Sequence, residues 1–223
     1  MMKMEDAMKK RHTVRKFQDK KLSDSFIDVL NERVEYNNQK YHLNMRLIVN
    51  DGNAIPLFIR LFVSRGVKNY VILSGEDSTS LEERIGYAGT DIMLFAQTLG
   101  LNSWWISGTY RKGHVRKKIK QGSVKGIVAI GFGVDNGIEH KQNKTPLEVS
   151  NYVGGDTPDW FRKGVDAALL APTALNKQKF VITGTANRVK IDYEEGAFSN
   201  IDKGIIKYHF ELGAGSDNFS WEE

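Results

Sequence analysis

Ala171-Pro172-Thr173-Ala174-Leu175-Asn176-Lys177-Gln178-Lys179-Phe180 is the stretch on which the fold turns. It joins an amphipathic segment, opened by Thr157-Pro158-Asp159 and ending near Leu170, to the apolar run Phe180-Val181-Ile182. Such a junction reads as helix, loop, strand. A proline, small residues and a polar amide there leave backbone groups open, so a planar ligand can approach closely. An ordinary helix-to-strand loop is the other reading. Beyond it, Val189-Lys190-Ile191 is predicted to pair with Phe180-Val181-Ile182, and a last helix to run from about Ile201 to Leu212.

Working back toward the N-terminus, Ile85, Ala88, Ile92, Phe95, Ala96 and Leu99 repeat at helical spacing and stop at Gly100. Ser103-Trp104-Trp105-Ile106 follows as an apolar strand that breaks at Ser107-Gly108. Gly126 to Gly133 is predicted as a central strand, with further strands at Arg46–Val49 and Asn69–Leu73. Helices are expected at Met4–Lys10, from Ser23 through Phe26, Ile27, Leu30 and Val34, and as a buried segment over Ile55–Val63. Thr145-Pro146-Leu147-Glu148 has the capping-box pattern of a short helix start. Helices alternate with hairpin-like strands, which makes the class α+β. The boundary is expected at Asn151–Asp156, giving domains 1–150 and 151–223. A faint repeat lays Tyr87–Gly100 over Asp202–Gly215, matching Gly89 with Gly204, Phe95 with Phe210 and Gly100 with Gly215.

Composition narrows the function. The 223 residues contain no cysteine, and the five histidines form no metal-ligand spacing. No metal site, disulfide or cysteine nucleophile is expected. No apolar run reaches the ~20 residues of a membrane span, and the N-terminus lacks signal-peptide character. The expectations are a cytoplasmic protein and no membrane partner. The net charge of +5 raises nucleic acid as a partner. Its densest source, Arg111–Lys120, lacks interleaved aromatics and reads better as a solvated helix face with Val115 and Ile119 turned inward. Gly131-x-Gly133 with Gly137 has the wrong spacing for a dinucleotide fingerprint.

Arg11-His12-Thr13-Val14-Arg15 sets two guanidinium groups four residues apart with a hydroxyl between them. The arrangement suits a phosphate, though a basic surface segment reads equally simply. Taken with Pro172–Gln178 and with Gly100-Leu101-Asn102-Ser103-Trp104-Trp105-Ile106, it resembles the nitroreductase family of FMN flavoproteins. The resemblance implies an α+β nitroreductase-like fold. It also implies an Arg-x-Ser/Thr-x-Arg/Lys phosphate motif at Arg11, His12, Thr13 and Arg15, and a flavin-covering motif at Pro172, Thr173, Ala174 and Asn176. Backbone contacts to the ring are implied at Ser107, Gly108 and Thr109, and a loosely matched basic pair at Lys141 and Lys144.

In ordinary members the proline motif follows the first helix, and the site is shared between two subunits. Here the corresponding stretch, Tyr36–Asn44, has lost the proline and small residues, and the second half has lost the arginine motif. The chain thus resembles a pseudo-dimeric subgroup in which two half-domains imitate the family dimer and keep one site. The implied activity is hydride transfer from NADH or NADPH to an electron-poor acceptor such as a nitroaromatic or quinone. FMN would carry the chemistry and no side chain would be catalytic. A monomeric pseudo-dimer or weak homo-oligomer is expected. The alternative is a non-catalytic flavin- or nucleic-acid-binding protein on a degenerate nitroreductase fold.

Overall fold

A computed structural model describes residues 2–137 and 143–222 and divides the chain into two compact units, Met1–Glu139 and His140–Glu223. The division lies ahead of the expected boundary at 150/151. The paired glycines Gly154 and Gly155, both at positive φ, follow a strand of the second unit rather than joining two domains.

The first unit is built on a four-stranded sheet. Its strands are β1 (Arg46–Ile48), β2 (Tyr70–Gly75), β3 (Asn102–Ile106) and β4 (Ser123–Gly131). They lie in the order β1-β2-β4-β3, every neighbouring pair antiparallel. The continuous apolar runs of β2 and β4 mark strands covered on both faces. Val71, Leu73, Val128 and Ile130 meet Leu30 and Val34 of α2 (Asp24–Tyr41) and Ile85, Ile92 and Met93 of α4 (Leu81–Thr98). Tyr70, Ile72, Ile127 and Ala129 turn the other way. They meet Val14, Phe17, Ile55 and Val115, the last on α5 (Lys112–Arg116).

Glycine decides two details of α4. A Cβ on Gly89 would stand 2.6 Å from the Trp105 ring, so the bare backbone makes room for that indole. Gly100 adopts φ +79° just past the helix end, and Gly215 adopts φ +78° just past α8 (Ser199–Ala214). The aligned glycines of the repeat therefore share a left-handed conformation that closes a helix. Of the basic run, Val115 and Ile119 are buried as expected.

One expectation fails in this unit. The segment read as a buried helix over Ile55–Val63 contains a shorter one, α3 (Leu57–Phe62), with no buried residue. Ile55 is buried and Ile59 packs on the core, but Leu57, Phe58, Leu61 and Phe62 face outward. A short helix apolar on all sides carries no periodicity that says which side faces in. The stretch Tyr36–Asn44 forms no loop like Pro172–Gln178. It continues α2 to Tyr41 and turns at His42, with φ +50°.

In the second unit β5 (Ser150–Val153), β6 (Phe180–Thr185), β7 (Arg188–Tyr193) and β8 (Ser220–Trp221) lie in chain order. The expected β6–β7 hairpin is present, with Ile182 opposite Ile191. The edge strands β5 and β8, each added in parallel, lay in segments read as linker and tail. The one-turn helix α6 (Pro146–Val149) has the expected capping box, with the Thr145 N–H donating to Glu148 Oε2 at 2.7 Å. Helix α7 (Asp159–Ala168) begins after Pro158 as N-cap, so Thr157 is not the cap. It packs against α8, with the Phe161 and Phe210 rings 5.7 Å apart. Among the described residues no helix is long and apolar enough to cross a membrane.

One carboxylate ties three elements of the first unit together. Asp51, in the turn after β1, accepts hydrogen bonds from the Tyr70 hydroxyl at 2.6 Å and the Asn53 N–H at 3.0 Å. Its Oδ2 also lies 2.8 Å from His114 Nε2 and 3.1 Å from Lys118 Nζ. Burial acts to raise the Asp51 pKa, but the hydrogen bonds from Tyr70, His114, Asn53 and Lys118 outweigh it and hold the carboxyl well below its usual range. A depressed carboxylate stabilises the fold fully above its unfolded pKa of about 3.9 and loses that contribution as pH falls through the folded value. Asp51→Asn is expected to cost about 3 kcal/mol at neutral pH, measured by urea unfolding. The deficit should shrink below about pH 4. A deficit unchanged by acid would contradict this role.

Candidate functional site

The arginine motif is an extended strip on the edge of the first sheet. Helix α1 (Met4–Lys10) ends where the Arg11 N–H caps Ala7 O at 2.8 Å. Thr13 then bridges in parallel to Ser103 of β3, and the Val14 N–H donates to Ser103 O at 3.1 Å. Further on, the Phe17 N–H donates to Arg65 O and the Arg65 N–H to Arg15 O. Two-residue alternation in such a strip puts Arg11, Thr13 and Arg15 on one side. Val14 goes into the core on the other. His12 shares the Val14 side: a Cβ on Gly137 would meet His12 Cβ at 3.0 Å and Val14 Cγ2 at 3.1 Å.

The two guanidinium groups differ in kind. Arg15 is exposed, with its Cζ 5.7 Å from the centre of the Trp104 ring. Arg11 is only 5% exposed. Burial alone brings its pKa down to about 10, and its side chain makes no hydrogen bond or ion pair with any described residue. Close by in the chain and the sheet, His12 Nδ1 and Ser103 Oγ are buried without a hydrogen-bond partner among the described residues. A buried cation without a described counter-charge is costly, and buried polar atoms without partners add to that cost. The strip therefore presents what an anion would satisfy. Thr13, Arg15 and Lys16 line a cleft with Val63, Asp135 and Gly137.

Strand β3 carries the next expected group. Trp104 is buried as a core residue. Past Ile106 the Ser107 hydroxyl accepts the Trp105 indole N–H at 2.8 Å, so this hydroxyl is already engaged. Gly108 and Thr109 are exposed.

The proline motif of the second unit is a strained and well-anchored loop. Leu175, Asn176 and Gln178 all have positive φ, at 53°, 54° and 48°. Non-glycine residues rarely hold this conformation unless their surroundings impose it. The anchors are explicit. Gln178, 1% exposed, donates from Nε2 to Leu169 O at 2.7 Å and from its N–H to Thr173 Oγ1 at 3.2 Å. Asn143 donates its N–H to Gln178 Oε1 at 3.2 Å and its amide to Asn176 O at 2.5 Å. Asp202 of α8 accepts the Ala174 N–H at 2.9 Å and the Tyr193 hydroxyl at 2.6 Å. Burial pushes the Asp202 carboxyl up, against those two hydrogen bonds. Pro172 and Ala174 are half-buried, Thr173 is buried and Leu175 projects outward.

Gln178, Asn143 and Asp202 were not assigned as site residues by the sequence reading. Asp202 had a signal, being a charged residue beside Ile201 and Ile205 on the buried face of α8. Lys144 belongs to the second unit, not the first, where its charge helps keep Glu148 ionised after the hydrogen bonds from Thr145. Lys141 lies outside the described residues. The stretch Tyr36–Asn44 is committed elsewhere. Asn37 donates to Asp91 Oδ2 at 2.7 Å, Arg33 pairs with the same carboxylate, and Asn38 exchanges hydrogen bonds with the Met45 backbone.

The family model described as "Putative TM nitroreductase" matches residues 3–214. The chain belongs to the nitroreductase family. Among solved structures, it resembles a putative nitroreductase from Thermotoga maritima, with 21% identity and a TM-score of 0.66 over 97% of this chain and 85% of that one. A putative nitroreductase from Desulfovibrio desulfuricans, solved in complex with FMN, shares 14% identity and a TM-score of 0.53 over 71% of this chain and 99% of its own. A putative NADH dehydrogenase/NAD(P)H nitroreductase from Parabacteroides distasonis shares 16% identity and a TM-score of 0.53 over 70% and 100%. These likenesses establish the fold. No curated protein matches the chain.

Asp202→Ala should free the Ala174 amide. Hydrogen exchange at that N–H is expected to speed up by roughly tenfold or more, since a lost charge-assisted hydrogen bond is worth about 1.5–3 kcal/mol. Unchanged exchange at Ala174 would show that the carboxylate does not hold the loop.

Proposed function

We propose that the chain binds one FMN and serves as an NAD(P)H-dependent reductase of electron-poor acceptors such as nitroaromatics and quinones. The observation that carries this reading is the buried Arg11 guanidinium, set without a described counter-charge at the first arginine of the family's phosphate motif. Arg11 neutralises the phosphate there, Thr13 adds a hydroxyl donor and Arg15 closes the exposed side. Ser107, Gly108 and Thr109 present backbone groups to the flavin N5 and O4. Four residues of strand separate Ser103, beside Thr13, from Ser107, a rise of roughly 13 Å. That distance suits a ligand whose phosphate and ring are joined by a ribityl chain.

The second unit contributes the covering loop, Pro172, Thr173, Ala174 and Asn176, with Lys144 and Lys141 as further cations. Two observations support a chain made of two related halves. The series helix, strand, strand, long helix, strand occurs as α7, β6, β7, α8, β8 and, with the short α3 inserted between its first two strands, as α2, β1, β2, α4, β3. The Desulfovibrio and Parabacteroides chains are spanned almost entirely by about two-thirds of this one. On this reading the molecule is a monomeric pseudo-dimer or associates weakly.

Bound FMN supplies hydride transfer, accepting from NADH or NADPH and passing the hydride on to the acceptor. The side chains hold and neutralise the cofactor and leave one ring face open. The nucleic-acid alternative is weakened by the basic stretch itself, since His114 and Lys118 are both drawn to Asp51.

After loading with FMN and desalting, the protein should keep a flavin spectrum that bleaches anaerobically with NADH or NADPH and returns with a quinone. A colourless protein would refute the cofactor, and a retained flavin that no nicotinamide reduces would refute the donor. Arg11→Met should weaken FMN binding roughly a hundredfold, the loss expected for a bidentate guanidinium–phosphate pair. The flavin-free variant should melt at or above the wild-type temperature, because an uncompensated buried charge has been removed. Unaltered FMN affinity with a lower melting temperature would make Arg11 a structural residue instead.

A further inference from the structure

Helix α3 carries an apolar surface that the flavin reading does not use. Leu57, Phe58, Leu61 and Phe62 are 64%, 66%, 67% and 74% exposed. The two phenylalanine rings lie 5.0 Å apart. At spacings i, i+1, i+4 and i+5 these residues form one continuous face of the helix, while Ile59 packs on the body. The charged side chains around them are mostly cationic. Arg60 is on α3 itself, Arg65 follows it and bridges to Lys16, and Arg15 and Lys16 share a cleft with Val63. All four cations are exposed, and Asp135 is the one acidic residue lining that cleft.

We propose that α3 is an interfacial docking element for the surface of an anionic phospholipid bilayer. Its phenylalanines and leucines would enter the boundary between headgroups and acyl chains, with Arg60, Arg65 and Lys16 on the lipid phosphates. Charge selects this occupant over a second copy of the chain. A twofold contact through α3 would set the same cations against one another. The expectation of no membrane partner rested on the lack of a spanning segment, which bears on crossing and not on surface binding. The proposal stands independently of the flavin reading.

The full chain should co-sediment with vesicles of phosphatidylcholine containing phosphatidylglycerol, and much less with phosphatidylcholine alone. Added salt should weaken that binding. The double variant Phe58→Ser/Phe62→Ser should bind about tenfold or more weakly, from the loss of two inserted rings. Arg60→Glu/Arg65→Glu should lose the preference for anionic vesicles. Both variants change exposed side chains only and should keep the wild-type circular dichroism and melting temperature. Failure of the wild type to bind either vesicle would overturn the proposal, as would equal binding by the phenylalanine variant. So would a dimer seen by analytical ultracentrifugation that the phenylalanine variant abolishes, because a second copy would then be the occupant.

Discussion

A buried guanidinium without a described counter-charge is the constraint on which this account rests. Arg11 sits at the end of α1, where the following strip must run extended to reach Ser103 and Arg65. Burying Val14 holds that strip in place, and two-residue alternation sets Arg11 on the side away from Val14. The hydrophobic cost of releasing Val14 and Phe17 keeps the Arg11 side chain, 5% exposed, at this position. An anion at this position would turn an unfavourable burial into a strong charge-assisted contact, because the low dielectric that penalises the lone charge also strengthens the pair.

The second unit meets a different requirement by related means. Its proline loop holds backbone shapes that ordinary residues avoid. Leu175, Asn176 and Gln178 are held in them by side chains from outside the loop's own turn. Asp202 reaches in from α8 and Asn143 from the segment before α6, while Gln178 closes onto Leu169 at the end of α7. In the first unit the equivalent stretch has become helix, with Asn37 and Asn38 spent on Asp91 and Met45.

Much of the fold was legible because the dominant signals are strong and local. The continuous apolar runs of β2 and β4, the long buried α4 and its Gly100 terminus, and the Thr145–Glu148 capping box each follow from a pattern of adjacent residues. What escaped depended on distant partners. Ser150-Asn151-Tyr152-Val153 has no strand-like apolar run and becomes a strand only because β6 offers it an open edge. Leu57–Phe62 has the composition of a core helix, and its exposure is decided by Ile55 and Ile59 having already filled the space below. In the arginine strip, strand alternation puts Arg11 and Thr13 on one side and sends His12 to the side of Val14, which residue types alone do not reveal. The anchors of the proline loop come from elements as far off as α8, and spacing within one motif does not reveal them.

The most direct test is to titrate the purified chain with FMN and with riboflavin, which differ only in the phosphate, and to compare the two dissociation constants. If the buried Arg11 guanidinium is a phosphate anchor, FMN should bind roughly a hundredfold or more tightly than riboflavin. Equal affinities would mean that the phosphate is not what Arg11 awaits, and the central claim would fall.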